Sequence, residues 1–268
     1  MRSAVLPVIT LGLFAMVVAD RLSHALADNS DAVVQGPTES LPGTLDPETS
    51  GVPTSRATGS TGALMSRTPT IDRLARLAVR QQISREAGRT YLDSLIFSTD
   101  SVVRRWPDRG GVPLKVSVIE GGPADYHPRM GQIFMDALYR WENTGMGVRF
   151  DVVPDTSDAD IVVRWIDHFP YDRAGQTDLT WDAAGRVRKA AISLALRTSG
   201  GFQLPNEALI SVAVHETGHA LGLPHSPDSN DVMYPATRTG VLSDRDRRTA
   251  QVLYQLQPGP VRDPGGAR

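Results

Sequence analysis

The run His215-Glu216-Thr217-Gly218-His219-Ala220-Leu221-Gly222-Leu223-Pro224-His225 constrains this chain more than any other stretch. His215 and His219 are four residues apart, so on a helix they stand one above the other on one face. That geometry suits two imidazoles on a single tetrahedral ion. Glu216 lies beside that face, where its carboxylate can take a proton from water at the metal. Glycine at 222 can adopt the left-handed conformation that stops a helix and swings the chain back, bringing His225 round as a third ligand. Three protein ligands leave a fourth position open, as in a catalytic zinc site rather than a closed structural one. The bland alternative is an ordinary helix that happens to carry His and Glu. It must bring five fixed positions into register by coincidence.

Together with Asp231-Val232-Met233-Tyr234-Pro235, this run resembles the signature of the metzincin zinc metallopeptidases, three histidines followed by a Met-turn. Ser226 directly after the third histidine makes it most similar to the matrixin branch, the peptidase family of the matrix metalloproteinases. The resemblance covers residues 111–256 and does not extend before them. It implies an α/β catalytic domain with a mixed, twisted sheet of about five strands, an active-site helix, the Met-turn and a C-terminal helix. It also implies one catalytic Zn2+ on His215, His219 and His225, with Glu216 as general base. Met233 would lie under the metal as an apolar floor, and Tyr234 and Pro235 would wall the pocket for the side chain after the cut. An extended peptide would lie along an edge strand, which the resemblance places at residues 175–182.

Two further features of that family bear on this sequence. Cysteine is absent from all 268 residues, so there is no disulfide framework and no thiolate metal ligand. The cysteine switch that blocks the zinc in matrixin pro-segments therefore cannot exist here. Matrixins also carry a second, structural zinc bound by an Asp and several His. In the corresponding region only His168 is present, too few for that site. A calcium site drawn from Asp155, Asp158, Asp160, Asp172, Asp178 and Asp182 is the alternative to plain solvation of loop carboxylates.

The rest of the chain is organised around this centre. A net charge of −2 points to no nucleic acid or other polyanionic partner. Residues 1–27 read as an export signal: Arg2, an apolar run from Ala4 to Ala19, and Ala25-Leu26-Ala27 before Asp28. The alternative is an uncleaved membrane tether through residues 4–19; either way the catalytic part lies outside the cytoplasm. His24 in this segment is incidental. Residues 28–69, with Pro37, Pro42, Pro47, Pro53 and Pro69 among Gly, Ser and Thr, read as a disordered linker. Residues 70–110 form a helical N-terminal segment, whose apolar stripe is Ile71, Leu74, Leu77, Ala78, Gln81, Tyr91, Leu92, Leu95 and Ile96. It is expected to pack against the catalytic domain; an inhibitory pro-segment and a basic face on an anionic surface are the alternatives. The domain proper spans 111–257, and a disordered tail occupies 258–268.

Within the domain, alternation predicts a strand over residues 112–119 and short strands over 148–153 and 161–165. Pro128 opens a helix to Asn143 with Met130, Ile133, Phe134, Ala137, Leu138 and Trp141 inward; His127 is a helix-entry residue rather than a ligand. Residues 175–182 should form the edge strand, with 188–196 beside it. The active-site helix starts at Asn206 as its cap, with Ile210, Ala213, Val214, Thr217, Ala220 and Leu221 opposite the histidines. A last helix begins at Ser243 with Asp246 three residues on, a near match to a capping box. The chemistry expected is hydrolysis of a peptide bond in a protein or peptide substrate by a monomeric enzyme. The competing class is a zinc- and peptide-binding protein on the same scaffold without significant turnover.

Overall fold

The computed structural model describes residues 71–97 and 101–262, so the export signal, the linker and residues 263–268 lie outside it. Two helices open the described chain, α1 (Ile71–Arg85) and α2 (Ser94–Phe97), followed by β1 (Val102–Val103). The central elements are β2 (Leu114–Val118), α3 (Arg129–Glu142), β3 (Phe150–Val152), β4 (Ile161–Ile166), β5 (Gly175–Trp181) and β6 (Val187–Ala195). The chain ends with α4 (Asn206–Ala220), α5 (Asp244–Gln255) and β7 (Gly259–Pro260). Five strands form one sheet in the order β3-β2-β4-β6-β5. The first four are parallel, with Val116 opposite Ile161 and Ile161 opposite Ala190; β5 runs antiparallel to β6, with Thr177 opposite Ile192. The expected α/β architecture with a mixed five-stranded sheet is what the chain adopts.

The sheet follows from the alternation of its strands. Leu114 and Val116 on β2, Ile161 and Val163 on β4, and Ile192 and Leu194 on β6 are buried in one continuous core. On α3, Met130, Phe134, Ala137, Leu138 and Trp141 recur at helical spacing and are buried, packing the helix against α4. Helix α4 in turn lies across β5 and β6. This sandwich puts the histidine helix directly under the edge strand.

Three expectations need revision. The N-terminal segment is not one amphipathic stretch: α1 stops at Arg85, and its buried positions are Val79 and Ile83. Of the stripe read from the sequence, the α1 part is exposed, Ile71 at 85% and Leu74 at 52%, whereas Tyr91 and Leu92 are buried. The docking face is set by the turn after Arg85, which buries Tyr91 and Leu92 in the core and leaves only the last turns of α1 in contact. Second, α4 is not split into a packed flank and an open one: from Ser211 to Ala220 only Val212 and His219 escape full burial. It is covered on all sides because α3, β5 and the Met-turn region each take a face. Third, the tail expected from Pro258 is ordered at its start. Gly259 and Pro260 pair with Val103 and Val102, and Val261 is fully buried. Among the described residues no helix is long and apolar enough to cross a membrane.

Candidate metal centre and active site

Helix α4 delivers two of the three histidines, and its ending delivers the third. The helix is entered at Pro205, whose carbonyl accepts from Leu209 N at 3.0 Å; Asn206 is already inside the first turn and does not cap it. At the other end Gly222 takes φ +94°, Gly222 N donates to His219 O (2.8 Å) and Leu223 N to Gly218 O (3.0 Å). Those two bonds are the paired closure of a Schellman motif, which requires a left-handed residue at this place. A side chain at 222 would also collide with the carbonyl of Arg104. The turn thus reverses the chain and carries His225 back to the helix face.

The three imidazoles meet through their Nε2 atoms: His219 Nε2 lies 3.0 Å from His215 Nε2 and 3.1 Å from His225 Nε2. The other ring nitrogens fix which atom faces inward. His215 Nδ1 is 2.7 Å from Val232 O, and His219 Nδ1 is 3.0 Å from Leu223 O. A carbonyl only accepts, so each of these Nδ1 atoms carries the hydrogen and each Nε2 presents a lone pair. Burial pushes the pKa of His215 down to about 3, which keeps that ring neutral. Among the described residues these three are the only cluster whose donor atoms converge tightly enough to hold a metal ion. Three imidazoles at this spacing, two of them oriented by carbonyls, fit the ligand set of a zinc ion with one position left open.

Glu216 is buried beside His215. Burial pushes its carboxyl up to about 7, while a hydrogen bond from the Thr177 hydroxyl opposes that rise. The segment 231–235 packs against α4 at Gly218. Met233 is fully buried, its sulfur so close to Gly218 that any side chain there would overlap it, and its carbonyl accepts from Ser226 N at 2.8 Å. The carbonyl that orients His215 belongs to the preceding residue, Val232. Tyr234 and Pro235 are half-buried, with Tyr234 N donating to Asp231 O at 3.2 Å.

Other candidates stay apart from this centre. His127 accepts at Nδ1 from Arg129 N (3.2 Å) at the entry to α3, and His168 is exposed beside Asp167 (2.7 Å). Several of the aspartates considered for calcium are engaged separately. Asp158 is bound to Lys115, Asp160 to Arg109, Asp182 to Arg188, and Asp155 closes its own turn on Ser157 N.

Several supporting residues carry no signal in the sequence, because their partners are distant in it. Asp246 completes the capping box of α5 with Ser243, and its Oδ2 also accepts from Val232 N at 2.9 Å. Its Oδ1 accepts from Tyr91 OH at 3.1 Å. Asp231 joins Ser226, Ser243 and Arg245 in a second cluster next to the His225 loop. Trp106 Nε1 donates to Ala220 O (2.8 Å) at the end of α4. Only the capping box was readable from local spacing.

Comparison with known proteins agrees with this geometry. The family model described as matrixin matches residues 114–255, more than half of the chain. The chain is similar to metalloendoproteinase 1 of Glycine max, 39% identical over 85 residues, or 30% of this chain and 24% of that protein. It is similar to interstitial collagenase A of Mus musculus, 39% identical over 64 residues, 22% of this chain and 14% of the relative. Metalloendoproteinase 2-MMP of Arabidopsis thaliana is 46% identical over 54 residues, 19% of this chain and 14% of its own length. The matched stretches thus span about a quarter or less of these relatives.

Proposed function

The chain belongs to the matrixin family, and from that premise we propose that it is an exported zinc metalloendopeptidase. The observation that carries the reading is the meeting of three Nε2 atoms, 3.0 and 3.1 Å apart, beside the buried carboxylate of Glu216. A zinc ion held by His215, His219 and His225 supplies a Lewis acid that polarises a carbonyl and makes water acidic.

The chain's own groups do the rest. Val232 O and Leu223 O hold two of the rings in the ligand tautomer before any metal arrives. Glu216 takes a proton from the attacking water and delivers it to the departing amine. Its burial favours that cycle, since a carboxyl raised to about 7 is near the pH at which it must both accept and release a proton. Met233 is the apolar floor of the site. Tyr234 and Pro235 wall the pocket for the side chain after the cut. Strand β5 is the outer edge of the sheet, with main-chain groups available to pair with an extended peptide. The names of two relatives, metalloendoproteinases, support a protein or peptide substrate. Export rests on residues 1–27 alone, and sequencing the mature N-terminus checks it.

The deciding experiment measures bound zinc and cleavage of a denatured protein by the purified chain and by its Glu216→Gln variant. The expected result is one zinc in each and turnover reduced by roughly 10^2–10^4 in the variant, the usual contribution of a general base. Equal activity in the two removes Glu216 from the mechanism. Zinc without turnover in either makes the chain a binding protein on this scaffold.

A further inference from the structure

Gly175 and Thr177 are two residues apart on β5, so they face the same side of the sheet, and that side meets α4 at Glu216. A Cβ built on Gly175 would lie 2.5 Å from Glu216 Oε1, 2.6 Å from its Cγ and 2.7 Å from Val212 Cγ1. The backbone of Gly175 is outside the left-handed region. Glycine is therefore needed there for space and not for its conformation. Thr177 Oγ1 lies 2.7 Å from Glu216 Oε2 and 3.0 Å from the main-chain oxygen of the same residue. Both neighbours are acceptors and a hydroxyl has one hydrogen, so it serves one of them at a time. The carboxylate is nearer and charged, and takes it.

We propose that Gly175 and Thr177 form a seat for Glu216 and are positioning residues of the peptidase reaction. The inference rests on the reading of Glu216 as general base. Thr177 ties down Oε2, and the missing side chain of Gly175 leaves room for Oε1, so the two carboxylate oxygens are held differently and take different tasks. Oε1 takes the proton from water and later gives it to the amine. Oε2 accepts the Thr177 hydrogen throughout, as half of a carboxylate before the transfer and as the carbonyl oxygen of the acid after it. No proton leaves Thr177, and no heavy atom has to move between the two states. The rotamer of Glu216 is thereby fixed from the strand opposite, independently of the zinc ligands on its own helix.

The test uses the full chain with zinc bound and three variants. Thr177→Val keeps the shape and removes the hydroxyl, Thr177→Ser keeps the hydroxyl, and Gly175→Ala fills the space beside Oε1. The expected result is a kcat lower by roughly ten- to a hundred-fold in Thr177→Val, the range for one charge-assisted hydrogen bond. KM should stay within about twofold, with zinc stoichiometry unchanged. Thr177→Ser should recover most of the rate, and Gly175→Ala should lose kcat with its zinc intact. A second readout needs neither metal nor turnover: crystal structures of the metal-free protein and of metal-free Thr177→Val should show the Glu216 carboxylate displaced in the variant. Wild-type kcat in Thr177→Val, an unmoved Glu216 in it, or no recovery with serine overturns the proposal. If the wild-type chain itself cleaves nothing, the peptidase reading fails. The crystallographic comparison still decides whether the seat exists.

Discussion

Asp246 shows how much one side chain can hold together. Its carboxylate, fully buried, accepts from Val232 N and Ser243 N at 2.9 Å each and from Tyr91 OH at 3.1 Å. Burial raises its pKa above the ordinary 3.8, with the N–H donors opposing the rise. Replacing Asp246 with Ala leaves Tyr91 OH and Val232 N, both buried, without an acceptor at about 1–3 kcal/mol each, and the half-buried Ser243 N as well. A loss of roughly 3 kcal/mol or more in urea unfolding is therefore expected. Asp246→Asn should retain most of the stability, because the amide oxygen still serves the two N–H groups and its NH2 can donate to Tyr91. A similar loss in both variants would mean that charge, not acceptor geometry, is what matters. At this scale the sequence was uneven as a guide. That His215, His219 and His225 come together was legible, because one helix and the turn after it carry all three. The bond from Val232 N to Asp246, 14 positions on, and that from Thr177 to Glu216, 39 positions on, were not, because no spacing rule exposes either.

At the scale of elements, the end of α4 is the most exacting part of the molecule. Trp106 Nε1 and Tyr254 OH donate to Ala220 O and Leu221 O at 2.8 and 3.1 Å, and the Schellman turn closes the bonds behind them. The same turn supplies Leu223 O to His219 and leads on to His225. Gly222→Ala puts a Cβ at φ +94° and against the Arg104 carbonyl. It is expected to cost about 1–3 kcal/mol in stability. It should also weaken zinc binding by roughly 10- to 100-fold in competition with a chelator, because a group that orients a ligand moves with it. Unchanged zinc affinity would separate the turn from the site. The turn was readable from Gly222 alone, and the strands from their alternation. What misled was amphipathicity: α4 is enclosed on every side and α1 docks by its last turns, so neither shows a stripe that marks its true contact face.

Across the whole molecule, the N-terminal segment is fastened to the C-terminal helix. Glu86 is bound by Arg248 on α5, and this hydrogen-bonded pair holds the Glu86 carboxyl below its ordinary value of 4.5. An acid whose folded pKa is depressed adds stability above its unfolded value and loses it as the pH falls through the folded one. The unfolding midpoint of the protein should therefore exceed that of Glu86→Gln at pH 7, and the gap should close below about pH 4.5. A gap that stays constant in acid would mean that the ion pair contributes nothing. The packing of residues 83–97 and 101–106 into the common core was foreseeable only as a preference. The pairing of 102–103 with 259–260 was not, since two-residue strands carry no pattern.

That last pairing bears on how the protein is made. Tyr91, Trp106 and Val103 find their partners at Asp246, Ala220 and Gly259, all far later in the sequence. As the polypeptide emerges N-terminus first, Tyr91 and Trp106 stay bare until residues 220–259 arrive. Closing contacts across so long a separation is slow. A chaperone that shields the nascent front half should therefore raise the yield of active protein more than one added after release.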